Sequence, residues 1–143
     1  VGVPVLVDAR VGRSVNAGRR RVAAIRAEHG DSACWVVALG TNDAWGAAGA
    51  GSVWRRVSFG WRVRAMLDVI GGGHRVWWVN VATRRAGLAR SFADFNAALG
   101  ASGVVVVDHA GLMAVAGGWA GDGVHLSGSG YRRRAELVAG AIG

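Results

Sequence analysis

The chain has 143 residues, 52% of them apolar, and a formal charge of +8. That length points to one domain with room for a real core, and the apolar share excludes wholesale disorder. All 17 basic residues are Arg, and the densest runs, Arg19–Arg21 and Arg132–Arg134, fall on the presumed polar sides of amphipathic helices, so they read as solvated faces rather than a nucleic-acid footprint.

In chain order, Val3–Val7 is a short Val-rich run without polar alternation, the pattern of a parallel strand covered on both faces. Asn16–His29 is a predicted helix, and Trp35–Leu39 a second strand. The lone Cys34, inside the apolar run Ala33–Leu39, has no partner for an internal disulfide and is expected to be buried rather than reactive. Val53–Ile70 is predicted as a helix, because Phe59, Val63, Met66 and Ile70 recur at helical spacing.

Val76–Val81 is the third strand, and Ser91–Leu99 the next helix, with Phe92, Phe95 and Leu99 on one face and Ser91 with Asp94 resembling a capping box. Val104–Val107 is the fourth strand. The last helix spans Tyr131–Ile142, with Tyr131, Ala135, Val138 and Ile142 as its apolar stripe and Ser129 or Ser127 as N-cap. Gly46–Gly51 and Gly71–Gly73 read as loops. Strand and helix alternating four times predict a single domain, an α/β three-layer sandwich around a parallel sheet of about four strands.

The apolar runs are much shorter than the roughly 18 residues of a membrane span. The first residues lack the order of charge, apolar core and cleavage site that marks a signal peptide. The four His and single Cys have no metal-ligand spacing, so neither a metal nor a cofactor is expected. Neither Arg run is interleaved with aromatics, and no nucleic-acid partner is expected.

Ligands of such sheets bind beyond the carboxyl ends of the strands. There the sequence puts Asp8–Ser14, Gly40-Thr41-Asn42-Asp43, Asn80–Arg85, Asp108-His109 and the loop with Asp122 and His125. Asn42 at a strand tip has an amide able to donate to an oxygen gaining negative charge, although Asn42 and Asp43 also suit an Asx turn or a cap. An Asp three residues before a His can hold its Nδ1 and leave Nε2 as a general base, although the spacing alone is common.

Together, "GTND" after an inner strand and "DGVHLSGSGY" before the last helix resemble the third and fifth sequence blocks of the SGNH hydrolases, also called GDSL esterases and lipases. "VDARVGRSV", "WVNVATRR", "FADFNAAL" and "VVVVDHAGL" resemble the bacterial branch whose domains are often attached to membrane acyltransferases that O-acetylate cell-wall or surface polysaccharides. The resemblance runs from Val3 to Ile142 and implies a flavodoxin-like fold. It implies His125 as general base, Asp122 as the residue that orients it, and the Asn42 amide and Gly12 N–H as oxyanion donors. The implied substrate is a small acyl ester, such as O-acetylated carbohydrate, taken by a serine esterase or acyl (acetyl) transferase. The branch suggests an extracellular or cell-envelope location and association with a membrane acyltransferase.

The family's Gly-Asp-Ser first block, which carries the nucleophile, does not occur in these 143 residues. Gly12-Arg13-Ser14 is the nearest string, but only 28 positions separate Ser14 from Asn42, too few for the strand and connections the family puts there. Ser14 is therefore only a weak alternative nucleophile. The expectation is an N-terminally truncated SGNH domain that lacks its first strand and is inactive alone; the alternative is a non-catalytic domain that binds a polysaccharide or protein partner. Asp108 is expected to be structural, His29 and His74 to act at helix ends, and Trp45, Trp54, Trp61 and Trp119 to pack in the core rather than line a sugar cleft.

Overall fold

The computed structural model describes residues 4–31 and 34–143. Its elements are α1 (Val15–His29), β1 (Cys34–Val37), α2 (Thr41–Gly46), α3 (Ser52–Ile70), β2 (Arg75–Val79), α4 (Ala86–Gly100), β3 (Val105–Val107), α5 (His109–Ala116) and α6 (Gly128–Ile142). The strands form one parallel sheet in the order β1-β2-β3, with Trp35 opposite Val76 and Trp78 opposite Val106.

One face of the sheet carries the larger core. Val37 and Trp78 pack there with Val15 and Val22 of α1, Phe59, Val63, Met66 and Ile70 of α3, and Phe92, Phe95 and Leu99 of α4. The helical spacing read from the sequence thus marks the buried stripes of α3 and α4. Phe59 meets Phe95 edge-on, with ring centroids 5.3 Å apart, an arrangement favoured by the ring quadrupoles. On the opposite face Trp77, Val79 and Val107 pack against Leu137 and Val138 of α6. The layers are therefore α/β/α, as expected.

The expected first strand does not form. Val3 lies outside the described residues, and residues 4–10 belong to no helix or strand, with Val5 and Val7 each 80% exposed. A strand is held by its ladder, and β1 pairs only with β2 among the described residues, so this apolar run has neither ladder nor cover. Among the described residues the sheet has three strands instead of about four.

Other departures share that cause. Cys34 is exposed, contrary to expectation, and Val36 is 42% exposed, because among the described residues no helix covers their face of β1. On α6 only Val138 of the predicted stripe packs on the sheet; Tyr131 and Ile142 are 49% and 39% exposed. That helix spans β2 and β3 alone.

Helix α4 starts five residues before the expected point, so Ser91 and Asp94 are no capping box. Ser91 is buried and donates to the Ala44 carbonyl at 2.5 Å, while Asp94 pairs with Arg55 at 2.8 Å. Tertiary partners took both side chains. Ser127 rather than Ser129 caps α6, accepting the Gly130 N–H. Trp45, Trp54 and Trp61 are exposed and not core residues, whereas Trp119 packs beside Met113 and Leu126.

Candidate active site

The expected polar loops do gather at the carboxyl edge of the sheet. After β1 the chain turns sharply at Gly40, where φ is +125° and a Cβ would collide with the Phe95 ring. Only glycine combines that backbone with that approach. Helix α2 starts immediately, with Asn42 and Asp43 in its first turn.

Asp43 ties two loops together. Its buried carboxylate accepts the Val15 N–H at 2.8 Å, one of the donors left unpaired at the start of α1, and Arg62 Nη1 at 2.7 Å. Asn42 Nδ2 donates to the Arg13 carbonyl at 3.3 Å. The Gly12–Ser14 turn is thereby held against α2, so of the two sequence-predicted oxyanion donors Gly12 lies on the turn and Asn42 on the adjoining first turn of α2. Gly12 itself has φ +72°, and its neighbour Val11 is fully exposed. Ser14 is the N-cap of α1, its hydroxyl accepting the Ala17 N–H at 3.2 Å.

Asp122 and His125 occupy the loop before α6. Asp122 Oδ1 accepts the backbone N–H groups of Val124 at 3.0 Å and His125 at 2.9 Å, and its Oδ2 lies 2.5 Å from His125 Nδ1. The hydrogen bond to His125, then the two backbone donors, hold the Asp122 carboxyl far below the usual carboxylate range. A carboxylate at Nδ1 assigns the ring proton to that nitrogen and leaves Nε2 as a free acceptor. The His125 side chain is 61% exposed. A solvent-facing basic nitrogen on an oriented imidazole can take a proton from a hydroxyl.

The loop is braced from both sides. Ala120 N–H donates to the His125 carbonyl and Ser127 N–H to the Gly118 carbonyl, and Trp119 forms an antiparallel bridge with Leu126. From the loop after β2, Thr83 Oγ1 and the Arg84 N–H donate to the Gly123 carbonyl. Asn96 holds that same loop by donating to and accepting from the Val81 backbone. The side chains of Arg84 and Arg85 pack where a Cβ on Gly123 would fall, and Arg85 also sits 5.4 Å over the Trp45 ring of α2.

Arg85 therefore bridges the Asp122–His125 loop to the helix that carries Asn42. Among the described residues no hydrogen bond joins His125 to Asn42, Gly12 or any serine hydroxyl. Asp43, Arg84 and Arg85 lie in segments that the sequence marked, but their contacts with Arg62, Gly123 and Trp45 appear only when α2, α3 and the two loops come together.

Asp108 and His109 form no second dyad. Asp108 accepts the Gly111 N–H and the Asn80 amide, which in that order lower its carboxyl from the ordinary value, and it caps α5. His109 is buried, and burial pushes its imidazole down.

No family model matches the sequence, and no curated protein matches it. Solved structures do match. One, a lipase/acylhydrolase from Enterococcus faecalis, superposes with a TM-score of 0.67 at 21% identity, covering 92% of this chain and 71% of that one. Another, a GDSL-like lipase from Bacteroides thetaiotaomicron, gives 0.64 at 22% identity with the same coverages. The chain thus shares its α/β fold with a lipase/acylhydrolase and a GDSL-like lipase.

Proposed function

We propose that this domain belongs to an SGNH-type ester hydrolase or acyl transferase, with His125 as general base, Asp122 as its orienting acid, and Asn42 and Gly12 as oxyanion donors. The observation that carries the reading is the 2.5 Å contact of Asp122 Oδ2 with His125 Nδ1, which leaves Nε2 exposed at the sheet edge where the fold binds ligands. The GDSL-like lipase and acylhydrolase folds support the same chemistry.

The nucleophile is a serine outside these 143 residues, on a strand that adds to the free edge of β1. The unpaired outer edge of β1 and the unladdered run at Val5–Val7 support that position. In the reaction the serine Oγ attacks the ester carbonyl carbon as its proton passes to His125 Nε2. The carbonyl oxygen gains charge against the Asn42 amide and the Gly12 N–H. Collapse breaks the acyl–oxygen bond, the departing alkoxide takes the proton back from His125, and water or a sugar hydroxyl then removes the acyl group. The natural substrate is proposed as an O-acylated, principally O-acetylated, carbohydrate.

p-Nitrophenyl acetate turnover tests this. The 143-residue chain is expected to stay near background, and a version preceded by an in-frame strand ending in Gly-Asp-Ser to turn over. His125→Ala should then remove most of the rate, since loss of a triad base costs on the order of a millionfold in kcat. An unchanged rate would sink the assignment. Turnover by the 143-residue chain that vanishes in Ser14→Ala would instead make Ser14 the nucleophile.

A further inference from the structure

A cavity of about 430 Å³ opens beside Gly12, walled by Arg10, Val11, Arg13, Ala17, Arg20 and Arg21. The larger hollow, at Gly71–Gly73 and Ser102–Val105, lies at the opposite, amino edge of the sheet. Four guanidinium groups thus converge on one concavity. Asp8 answers two of them, lying 2.5 Å from both Arg13 Nη1 and Arg21 Nε, and these bonds, Arg21's first, hold its carboxyl below the ordinary range. Glu28 adds a longer contact to Arg21 at 3.2 Å. Arg10 and Arg20 have no acidic partner among the described residues.

Asp8 and Glu28 offset Arg13 and Arg21, so the cavity keeps the net positive charge of Arg10 and Arg20, a field that favours an anion. Guanidinium groups receive a carboxylate through paired N–H donors, so Arg10 and Arg20 are unspent binding capacity. The volume falls within the range of small-ligand pockets, larger than a bare carboxylate needs. No aromatic lines the wall, which disfavours stacked nucleic-acid bases. Because the cavity shares Gly12 with the proposed oxyanion hole, its occupant belongs to the molecule that presents the ester. Arg84 and Arg85, packed on the Asp122–His125 loop, extend the same positive field to the other side of the site.

We propose that the Arg10–Arg13–Arg20–Arg21 cavity binds a sugar carboxylate, so that the ester brought to this site is carried on an acidic polysaccharide. The substrate class rests on the reading of the site given above; the carboxylate site itself can be tested without catalysis.

The probe is polygalacturonate, titrated calorimetrically against the 143-residue protein at about 0.15 M salt, where long-range surface attraction is largely screened. Its methyl-esterified form supplies the same backbone without charge. The acidic polymer is expected to bind at least about tenfold more tightly than the ester, and the double variant Arg10→Gln/Arg20→Gln to weaken it by about tenfold or more. The control Arg56→Gln/Arg90→Gln, which removes equal charge from exposed helix positions, should stay within about twofold. His125→Ala should bind like the parent protein, so a failure of the ester chemistry and a failure of the carboxylate site give different results. Equal binding of both polymers, or an equal loss in the control, overturns the proposal. So does tighter binding of single-stranded DNA or of phosphatidylserine vesicles that is lost in the same Arg10/Arg20 variant, which would give the cavity to those polyanions.

Discussion

Breaking the Asp43–Arg62 pair from either side should expose an asymmetry built into its burial. The Asp43 side chain is fully inaccessible and holds two bonds, to the Val15 N–H at 2.8 Å and to Arg62 at 2.7 Å, whereas the Arg62 side chain is 27% exposed. In Asp43→Asn the amide oxygen keeps the Val15 bond and the guanidinium can turn to water. The loss is then about one charge-assisted hydrogen bond, roughly 2 kcal/mol. In Arg62→Gln the carboxylate stays buried with one backbone donor, the situation in which removing one partner of a buried pair costs about 3–5 kcal/mol. With a urea slope of about 2 kcal/mol/M, midpoints should fall by roughly 1 M and 2 M. The double variant should cost clearly less than the sum of the two, since the stranded charge is gone. Equal single losses, or strict additivity, would refute the claim that Asp43 is the desolvated partner and its burial the source of the cost.

Gly40→Ala should lower stability by about 3 kcal/mol, since it combines a strained positive φ with overpacking against Phe95; Phe95→Leu in the same chain should recover part of the loss in a thermal melt, and no recovery would count against the ring contact. His109 has its folded value below the unfolded value of about 6.5, so its neutral burial stabilises fully above that pH and the contribution drains away as pH falls toward the folded value. Urea midpoints should therefore drop between about pH 7.5 and 5.5, and His109→Gln should flatten that part of the slope; an unchanged slope would refute a buried neutral imidazole. Cys34, exposed on the uncovered face of β1, should react with a disulfide reagent in native protein within about tenfold of its rate in urea, while strong protection would show that face to be covered.

Much of this molecule was legible without coordinates. Apolar runs without polar alternation located β1, β2 and β3 to within a few residues, and helical spacing picked out Phe59, Val63, Met66, Phe92, Phe95 and Leu99, all buried. Those signals are local, because burial on both sheet faces demands continuous apolar strands and one-sided helix packing demands a stripe. The Asp122–His125 pairing was equally readable, since only Gly123 and Val124 separate its members and a short Asx-type turn closes it. The α/β order and the placing of polar loops at one edge follow from the same alternation.

What the tertiary structure alone decided is where neighbours exist. Val5–Val7 reads like a strand as well as β1 does, yet it forms none, because β propensity is realised only through a ladder partner and a covering layer. Cys34 and the outer stripe of α6 read as core for the same reason and are exposed for the same reason. Ser91 and Asp94 carry a helix-start signal that the Ala44 carbonyl and Arg55 overrode from distant parts of the chain. The gathering of Arg10, Arg13, Arg20 and Arg21 around one cavity is likewise invisible in a linear sequence, where they are four of seventeen similar residues. Side-chain chemistry is written residue by residue, but burial, pairing and charge convergence are properties of distances between segments, which only the folded chain sets.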